Sequence, residues 1–443
     1  MPNILGANSV TDTGHDVAQS TMLESNSYYS RSASGGSQRT FTLSFWVKRS
    51  MLNTGHHQYV YSAYQDANNR ISIAFLSTNT FVVFAQDSSG TQLYLQTNKQ
   101  FKDPSAWMNI VVAVDTTQGT ASNRVKLYVN GTQETSFQDE TYPDQNEDLI
   151  TNTTIYIGAY TTSANFFCGY LAEYVYIDGS ALAPTSFGEF DDDSPNIWKP
   201  KDVSGLTFGT TGFYLNFATR ATDPIDASGN SNNFSSSNVL STDHSIDTCT
   251  NNFVTFNPLD VTNLQSVGNI STFSEGNLSV TGNNTSGAGT IGVSQGKWYF
   301  EVKNVNGGDN SDGVGFYNID TSQEVIYRDR AKFRFGSSQS DYGATWQSAG
   351  DIIGIVLDLD NTTITFYKNG ASQGNAKTDL PAGTYVPLIY NRRVNSTSVL
   401  TANFGSPLFS ISSGNSDPAG YGNFEYPTNS GYAINTKNQA EYG

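Results

Sequence analysis

The sequence predicts an all-β fold built from two antiparallel β-sandwiches. Three observations carry this. Short runs with period-two alternation recur along the chain, separated by polar, glycine-bearing breaks, which is the spacing of strands joined by turns. No window of about 12 residues combines a cap with a 3.6-residue period. Finally, "LYVNG" at 127–131 and "FYKNG" at 366–370 are one device used twice. Each is an alternating strand ending in Asn-Gly, the pair favoured in two-residue hairpin turns because both central residues need or tolerate positive φ. One hairpin laid on each core implies two cores.

The elements follow in chain order. Residues 1–25 form an N-terminal segment. "TFTLSFWVKRS" (40–50), "QYVYSAY" (58–64), "RISIAFLS" (70–77), "TFVVFAQ" (80–86), "TQLYLQT" (91–97) and "WMNIVVAVD" (107–115) read as successive strands. "RVKLYVNG" (124–131), "TIYIGAY" (154–160) and "GYLAEYVYIDG" (169–179) continue the series. In the hairpin strand Val125, Leu127 and Val129 point one way and Lys126 and Tyr128 the other, so one face is buried. From 191 to 256 the texture becomes turn-rich, with "GFYLNF" (212–217) as its one clear strand; this reads as a bridging region. A second strand-rich block covers 257–410, including "GKWYFEVKN" (296–304), "GVGFYN" (313–318), "DIIGIVLDLDNTTITFYKNG" (351–370) and "TYVPLIY" (384–390). The tail, 411–443, has aromatics without a period and reads as extended along a partner or loosely ordered. Trp46, Trp107 and Trp298 fall at core positions.

Composition narrows the function. The 443 residues carry a net charge of −17, from 23 Lys+Arg against 40 Asp+Glu. That excess argues against nucleic acid and against anionic membranes, both of which select basic faces. Charged residues are 14% of the chain, well under the roughly 25% of ordinary domains, and Ser, Thr, Asn, Gly and Tyr take their place. The opening "MPNILGANSV" lacks a basic region followed by an apolar core and does not read as a secretion signal. No apolar run approaches ~18 residues, so membrane insertion is not expected. Cys168 and Cys249 are read as two isolated thiols.

Patterns associated with catalysis meet structural objections. "GVSQG" (292–296) and "GASQG" (370–374) match G-x-S-x-G, but the nucleophile elbow needs a strand-to-helix turn, and here the first precedes a strand and the second follows a hairpin glycine. "GAGTIG" (287–292) has no βαβ unit around it. "DQNED" (144–148) lacks the glycine and closing glutamate of a calcium loop. His56 and His57, adjacent in sequence, could share one ion only from a loop. A retaining glycosidase needs two carboxyls about 5–5.5 Å apart. The closest string, "GEFDDD" with Glu189, Asp191 and Asp193, lies at a domain edge beside Ser-Pro. No catalytic residue and no cofactor is therefore expected, with a structural calcium ion the one metal left open.

Family resemblance adds detail. Over about 26–190, "NSYYSRS", "FTLSFWVKRS", "WMNIVVAVD", "VKLYVNG" and "IYIGAY…GYLAEYVYIDGSALAPTSFGEF" resemble the concanavalin A-like lectin/glucanase sandwich in its laminin-G or pentraxin-like form. Over about 257–410, "GKWYFEV", "DGVGFYNID", "GDIIGIVLDLDNTTITFYKNG", "YVPLIY" and "ANFGSPLF" resemble a SPRY domain. The combination, with "NIWKPKDVSG", "TNNFVTFNPLD" and "GYAINTKNQ", resembles structural proteins of tailed phages. The resemblance implies a non-enzymatic tail-fibre or spike component of the virion that attaches to a host-surface glycan or protein. It also implies contacts with other virion proteins and a homo-oligomer, with a trimer favoured. A head-decoration or tail-scaffold protein and a polysaccharide-degrading enzyme are the competing readings.

Binding residues are expected on loops. In the first block these are 64–70 and 161–167, with Asp66, Asn68, Asn165 and Phe166, because sugars select aromatic faces beside Asp, Asn and Arg. In the second block 317–330 and 390–395 resemble the variable loops of the SPRY ligand face, with Tyr317, Tyr327, Arg328, Arg330, Tyr390, Arg392 and Arg393.

Overall fold

The computed structural model describes residues 14–52, 55–219, 223–259, 271–282, 285–308, 312–391 and 398–443. The chain divides into two compact units, one of Thr13–Asp103 with Trp107–Thr250 and one centred on Asn251–Gly443. Each is an antiparallel sandwich, so the expected fold class is borne out.

In the first unit one sheet runs, strand by strand, Thr132–Glu134, Val125–Val129, Met108–Asp115, Thr40–Arg49, Gly169–Asp178, Ser20–Leu23 and His244–Ser245, with Phe213–Leu215 also paired to Gly169–Asp178. The facing sheet runs Phe137–Thr141, Gly90–Gln100, Thr80–Asp87, Asn69–Phe75, Gln58–Asp66, Thr154–Ile157, Tyr28–Ser32 and Ser235–Ser237. Alternation places one phase of each strand in a shared core: Ile71, Ile73 and Phe75, then Phe81 and Val83, then Leu93 and Leu95. The other phase faces outward, which is what a half-buried pleated strand must do.

In the second unit one sheet runs Thr272–Ser274, Ser279–Gly282, Ser398–Asn403, Lys297–Asn304, Ile352–Asp358, Thr363–Lys368 and Ala371–Lys377. The other runs Thr285–Ala288, Tyr385–Asn391, Gly313–Asn318, Gln323–Arg328, Lys332–Phe335 and Ser338–Asp341. Trp298 and Trp346 are fully buried between them, and Trp46 and Trp107 are buried in the first unit.

Two segments do more than their local pattern suggests. The region 191–256, expected to bridge, instead supplies the strands Trp198–Pro200, Phe213–Leu215, Ser235–Ser237 and His244–Ser245 to the first unit, and its residues from Asn251 on belong to the second. Asp247 is the anchor: it forms a 2.7 Å ion pair with Lys48, the two side chains 3% and 1% exposed, and accepts the Trp107 indole N–H at 2.9 Å. The tail is folded too. Tyr432–Ala433 pairs in parallel with Lys297–Asn304, and Asn435 caps the helix Thr436–Tyr442 by accepting the Asn438 N–H at 2.8 Å. Its organiser is Glu301, buried, whose carboxylate accepts the backbone N–H groups of Glu425 at 3.0 Å and Tyr426 at 2.8 Å. Local sequence concealed both segments because their polar residues are satisfied by partners far away in the chain.

Candidate functional site

The outward phase of the second-described sheet of the first unit is unusually aromatic for a solvent-side face. Tyr59, Tyr64, Phe84, Tyr94 and Tyr156 are all half-buried on it. Register explains how they assemble. Across the sheet, Tyr94 lies opposite Phe84, Phe84 opposite Ser72, Ser72 opposite Ser62, and Ser62 opposite Tyr156. Two serines therefore separate two groups of rings. Both serines are buried among these larger side chains, and the Ser62 hydroxyl has no hydrogen-bond partner among the described residues.

The loops expected from the sequence meet at this face. The Asp66–Asn69 pair closes the hairpin that carries Asn68, with Tyr64 opposite Arg70 just before it. Tyr160, at the start of the second loop, lies 4.7 Å from the ring of Tyr59 and 5.2 Å from that of Tyr64. The Arg70 guanidinium sits 4.9 Å from the Phe84 centroid and 5.9 Å from that of Tyr160, a cation–π arrangement that pins both rings. Asn165 and Phe166 continue the rim. The Asn165 carbonyl accepts the Tyr59 N–H at 3.4 Å, and Phe166 stacks on Tyr28 at 6.1 Å. Asp66 is exposed and holds the hairpin turn, accepting from Asn69 Nδ2 at 2.9 Å and from the Asn68 N–H at 2.8 Å. Those bonds, the Asn69 side chain first, keep its carboxyl below the usual range. Burial pushes the Tyr59 phenol up to about 12, so it remains a neutral donor at any ordinary pH.

The loops expected from the sequence border this face, and the rings between them were not among the expected residues. Phe84, Tyr94 and Tyr156 occupy the polar phase of otherwise regular strands, and that phase mismatch was the available signal.

In the second unit the expected residues separate. Tyr327 is in the core, 5.4 Å from Phe366 and 6.1 Å from Trp346; its place in the strand alternation turns it away from any ligand face. Tyr317, Arg328 and Tyr390 lie on the opposite side of the same sheet but are buried. Arg330 is exposed. Arg392 and Arg393 lie outside the described residues.

The acidic string of the first unit is structural in its contacts. Asp191 pairs with Lys199 at 3.1 Å and accepts the Ser194 N–H at 2.9 Å, and Glu189 lies 3.7 Å from Lys201. His57 Nδ1 accepts the Ser77 N–H at 3.2 Å. Among the described residues no group of three or more His, Cys, Asp or Glu side chains could hold a metal ion.

Comparison with known families divides the chain in the same way. Residues 23–185 match the concanavalin A-like lectin/glucanases superfamily, and residues 277–407 match the SPRY domain. Among solved structures the chain is similar to the SPRY domain of human HERC1, at 20% identity and TM-score 0.26, covering 30% of this chain and 91% of that one. It is similar to domain 4 of AbnA, a GH43 extracellular arabinanase from Geobacillus stearothermophilus in complex with arabinotriose. There identity is 21% and TM-score 0.26, covering 34% of this chain and 65% of that one, just under two thirds. A heptameric SAP-like pentraxin from Limulus polyphemus matches at 14% identity and TM-score 0.29, covering 38% of this chain and 80% of the pentraxin.

Proposed function

We propose that this chain, a concanavalin A-like domain followed by a SPRY domain, is a non-enzymatic attachment protein that holds a glycan on the aromatic face of its first sandwich. Domains of these two kinds suggest carbohydrate or protein binding. The observation that carries the glycan reading is the half-exposed ring group around Arg70 and Tyr160, rimmed by Asp66 and Asn68. Sugar rings present apolar C–H faces that stack on aromatics, and hydroxyls that bond to amides, carboxylates and guanidinium groups. The setting proposed is a tail fibre or spike on the virion of a tailed phage, meeting the host surface. Support for that setting is the sequence resemblance alone. The trimer rests on the same resemblance alone, since the tail is occupied within its own unit.

The test is binding of purified host-surface polysaccharide to the full chain. Tyr160→Ala and Arg70→Ala should each weaken it about tenfold, which is about 1.4 kcal/mol, while leaving the melting temperature close to wild type. Undiminished affinity in both variants would remove the glycan from this face. Release of reducing sugar ends during incubation would replace attachment with hydrolysis.

A further inference from the structure

The two sheets of the second sandwich end in the strands Ser338–Asp341 and Ala371–Lys377, and these two edges are built differently. Ala371–Lys377 is blunted. Its register against Thr363–Lys368 shifts twice. It also turns a charge to the core side, since Lys377 lies opposite the core residue Ile364 and its Nζ is 4.5 Å from the Phe335 centroid. Bulges and inward-pointing charges are devices that stop a free edge from pairing. Ser338–Asp341 has no bulge, no proline and no charge on its core face. It matches Lys332–Phe335 residue for residue, and all four of its residues are exposed. We infer that this edge takes up one extended strand of a partner polypeptide, in which aliphatic residues alternate with Lys or Arg. The site is independent of the glycan face, so either can fail without the other.

Backbone groups come first. Gly336 and Ser337 make a two-residue turn, so Phe335 and Ser338 exchange backbone bonds, as do Phe333 and Ser340 two places on, by the alternation of an antiparallel ladder. The N–H and C=O groups of Gln339 and Asp341 therefore point away from the sheet, where it has no further strand. Aligned edge groups of this kind are what strand addition uses. Side chains follow. Ser338 and Ser340 share the core face with Phe335 and Phe333. Beyond them a cleft of about 490 Å³ separates the two edges, with Ala376 and Thr378 on its far wall. A strand added at the ~4.8 Å spacing of a sheet directs every second side chain into that space. Aliphatic residues suit it, against Phe335 and the alkyl chain of Lys377. Charge sets the other phase. Asp341 and Asp379 pair with Lys332 and Lys377, yet the carboxylates are 90% and 80% exposed and the lysines 38% and 20%. The solvent side of the cleft thus presents carboxylates, in a chain of net charge −17, and selects Lys or Arg at the alternate positions.

Other occupants fit less well. A second copy joined only through this short edge falls short of the ~1,200 Å² buried by a stable interface. A glycan has no row of alternating donors and acceptors at strand spacing to match the edge groups.

The experiment titrates the full chain calorimetrically with the capped peptide Ac-Lys-Val-Lys-Val-Lys-Val-Lys-amide. Two analogues accompany it. One has Glu in place of every Lys. The other is N-methylated at every Lys, whose amides face the edge if the new strand follows the antiparallel sense of this sheet. Two variants accompany wild type. Gln339→Pro removes an N–H that its own sheet does not use, a place where an edge strand tolerates proline. Ser340→Trp fills the cleft from an exposed position. Melting curves check both, and if Gln339→Pro melts early Ser340→Trp carries the test. The parent peptide should bind wild type and slow hydrogen exchange across 338–342. Both analogues, and both variants with the parent peptide, should lose about tenfold or more in affinity. The inference is overturned if the peptide does not bind, if either analogue binds as well as the parent, or if the folded variants bind unchanged. It is also overturned if wild type sediments as a dimer that Gln339→Pro makes monomeric, or if cellohexaose binds wild type and Ser340→Trp abolishes it.

Discussion

Lys48 and Asp247 meet at 2.7 Å with almost no solvent contact, and residue-scale energetics turn on such pairs. Removing one partner strands a charge in the core, at a cost of about 3–5 kcal/mol. Lys48→Met alone should therefore melt the first unit much earlier. Lys48→Met with Asp247→Asn should recover most of the loss, because the asparagine still accepts the Trp107 N–H. A second residue-scale prediction concerns pH. The Glu173 carboxylate, 3.7 Å from His15 Nε2, raises the imidazole above its usual 6.5, outweighing the opposing effect of burial. A folded pKa above the unfolded one stabilises the fold fully below pH 6.5, and that contribution is lost as pH rises through the raised value. NMR titration of His15 should give an apparent pKa above 6.5 in wild type and a lower one in Glu173→Gln. The difference in melting temperature between the two proteins should shrink as pH rises past the His15 pKa. The core tryptophans were legible from the strand pattern. The acceptor of Trp107 was not, because it lies on another segment 140 positions along the chain.

At the scale of the element, the two Asn-Gly hairpins turn out to share more than a turn. Asn130 and Gly131 have φ of 47° and 75°, and Asn369 and Gly370 have 48° and 79°, as a two-residue turn with positive φ at both positions requires. Each asparagine also clasps the neighbouring strand. Asn130 donates its N–H to the Asn109 carbonyl at 2.9 Å and accepts the Asn109 N–H on Oδ1 at 2.7 Å. Asn369 does the same with Ile352, at 2.8 Å for both bonds. Its side-chain amide thus imitates one more residue of the ladder. Each glycine is then covered by a ring from later in its own unit: a Cβ on Gly131 would lie 2.3 Å from the Trp198 ring, and one on Gly370 2.6 Å from that of Tyr426. Gly374 supplies the control, with φ of 82° and open space around its Cβ position. Gly374→Ala should cost about 1 kcal/mol, for backbone strain alone. Gly370→Ala should cost clearly more, and Tyr426→Ala should remove the excess in a double-mutant melting cycle. The turn was readable from two letters; its covering ring was not.

For the whole molecule, each sandwich is completed by the segment that follows it. Trp198 seals the first hairpin, and its indole N–H reaches Asn109 Oδ1 at 3.2 Å. The tail seals the second hairpin through Tyr426 while satisfying buried Glu301. Deleting 411–443 should therefore leave the Glu301 carboxylate without its two backbone donors. The second unit should lose its cooperative unfolding transition in calorimetry, whereas the transition of the first should remain. A truncated chain whose second transition is unmoved would show that the tail is an appendage.

By itself the sequence determined the class of fold, the two cores and the two hairpins, because period-two alternation and Asn-Gly turns are local physics that a few adjacent residues decide. The loops it singled out, with Asp66, Asn68, Asn165 and Phe166, border the aromatic face of the first unit. Tertiary structure alone decided what the turn-rich middle and the aromatic tail do, since Asp247, Glu301 and Trp198 have partners far away in the chain. It alone decided which face each tyrosine takes, sending Tyr327 into the core and gathering Tyr59, Tyr64 and Tyr160 around Arg70. A strand's alternation says that its side chains divide between two faces, but only packing against a second sheet says which face meets water.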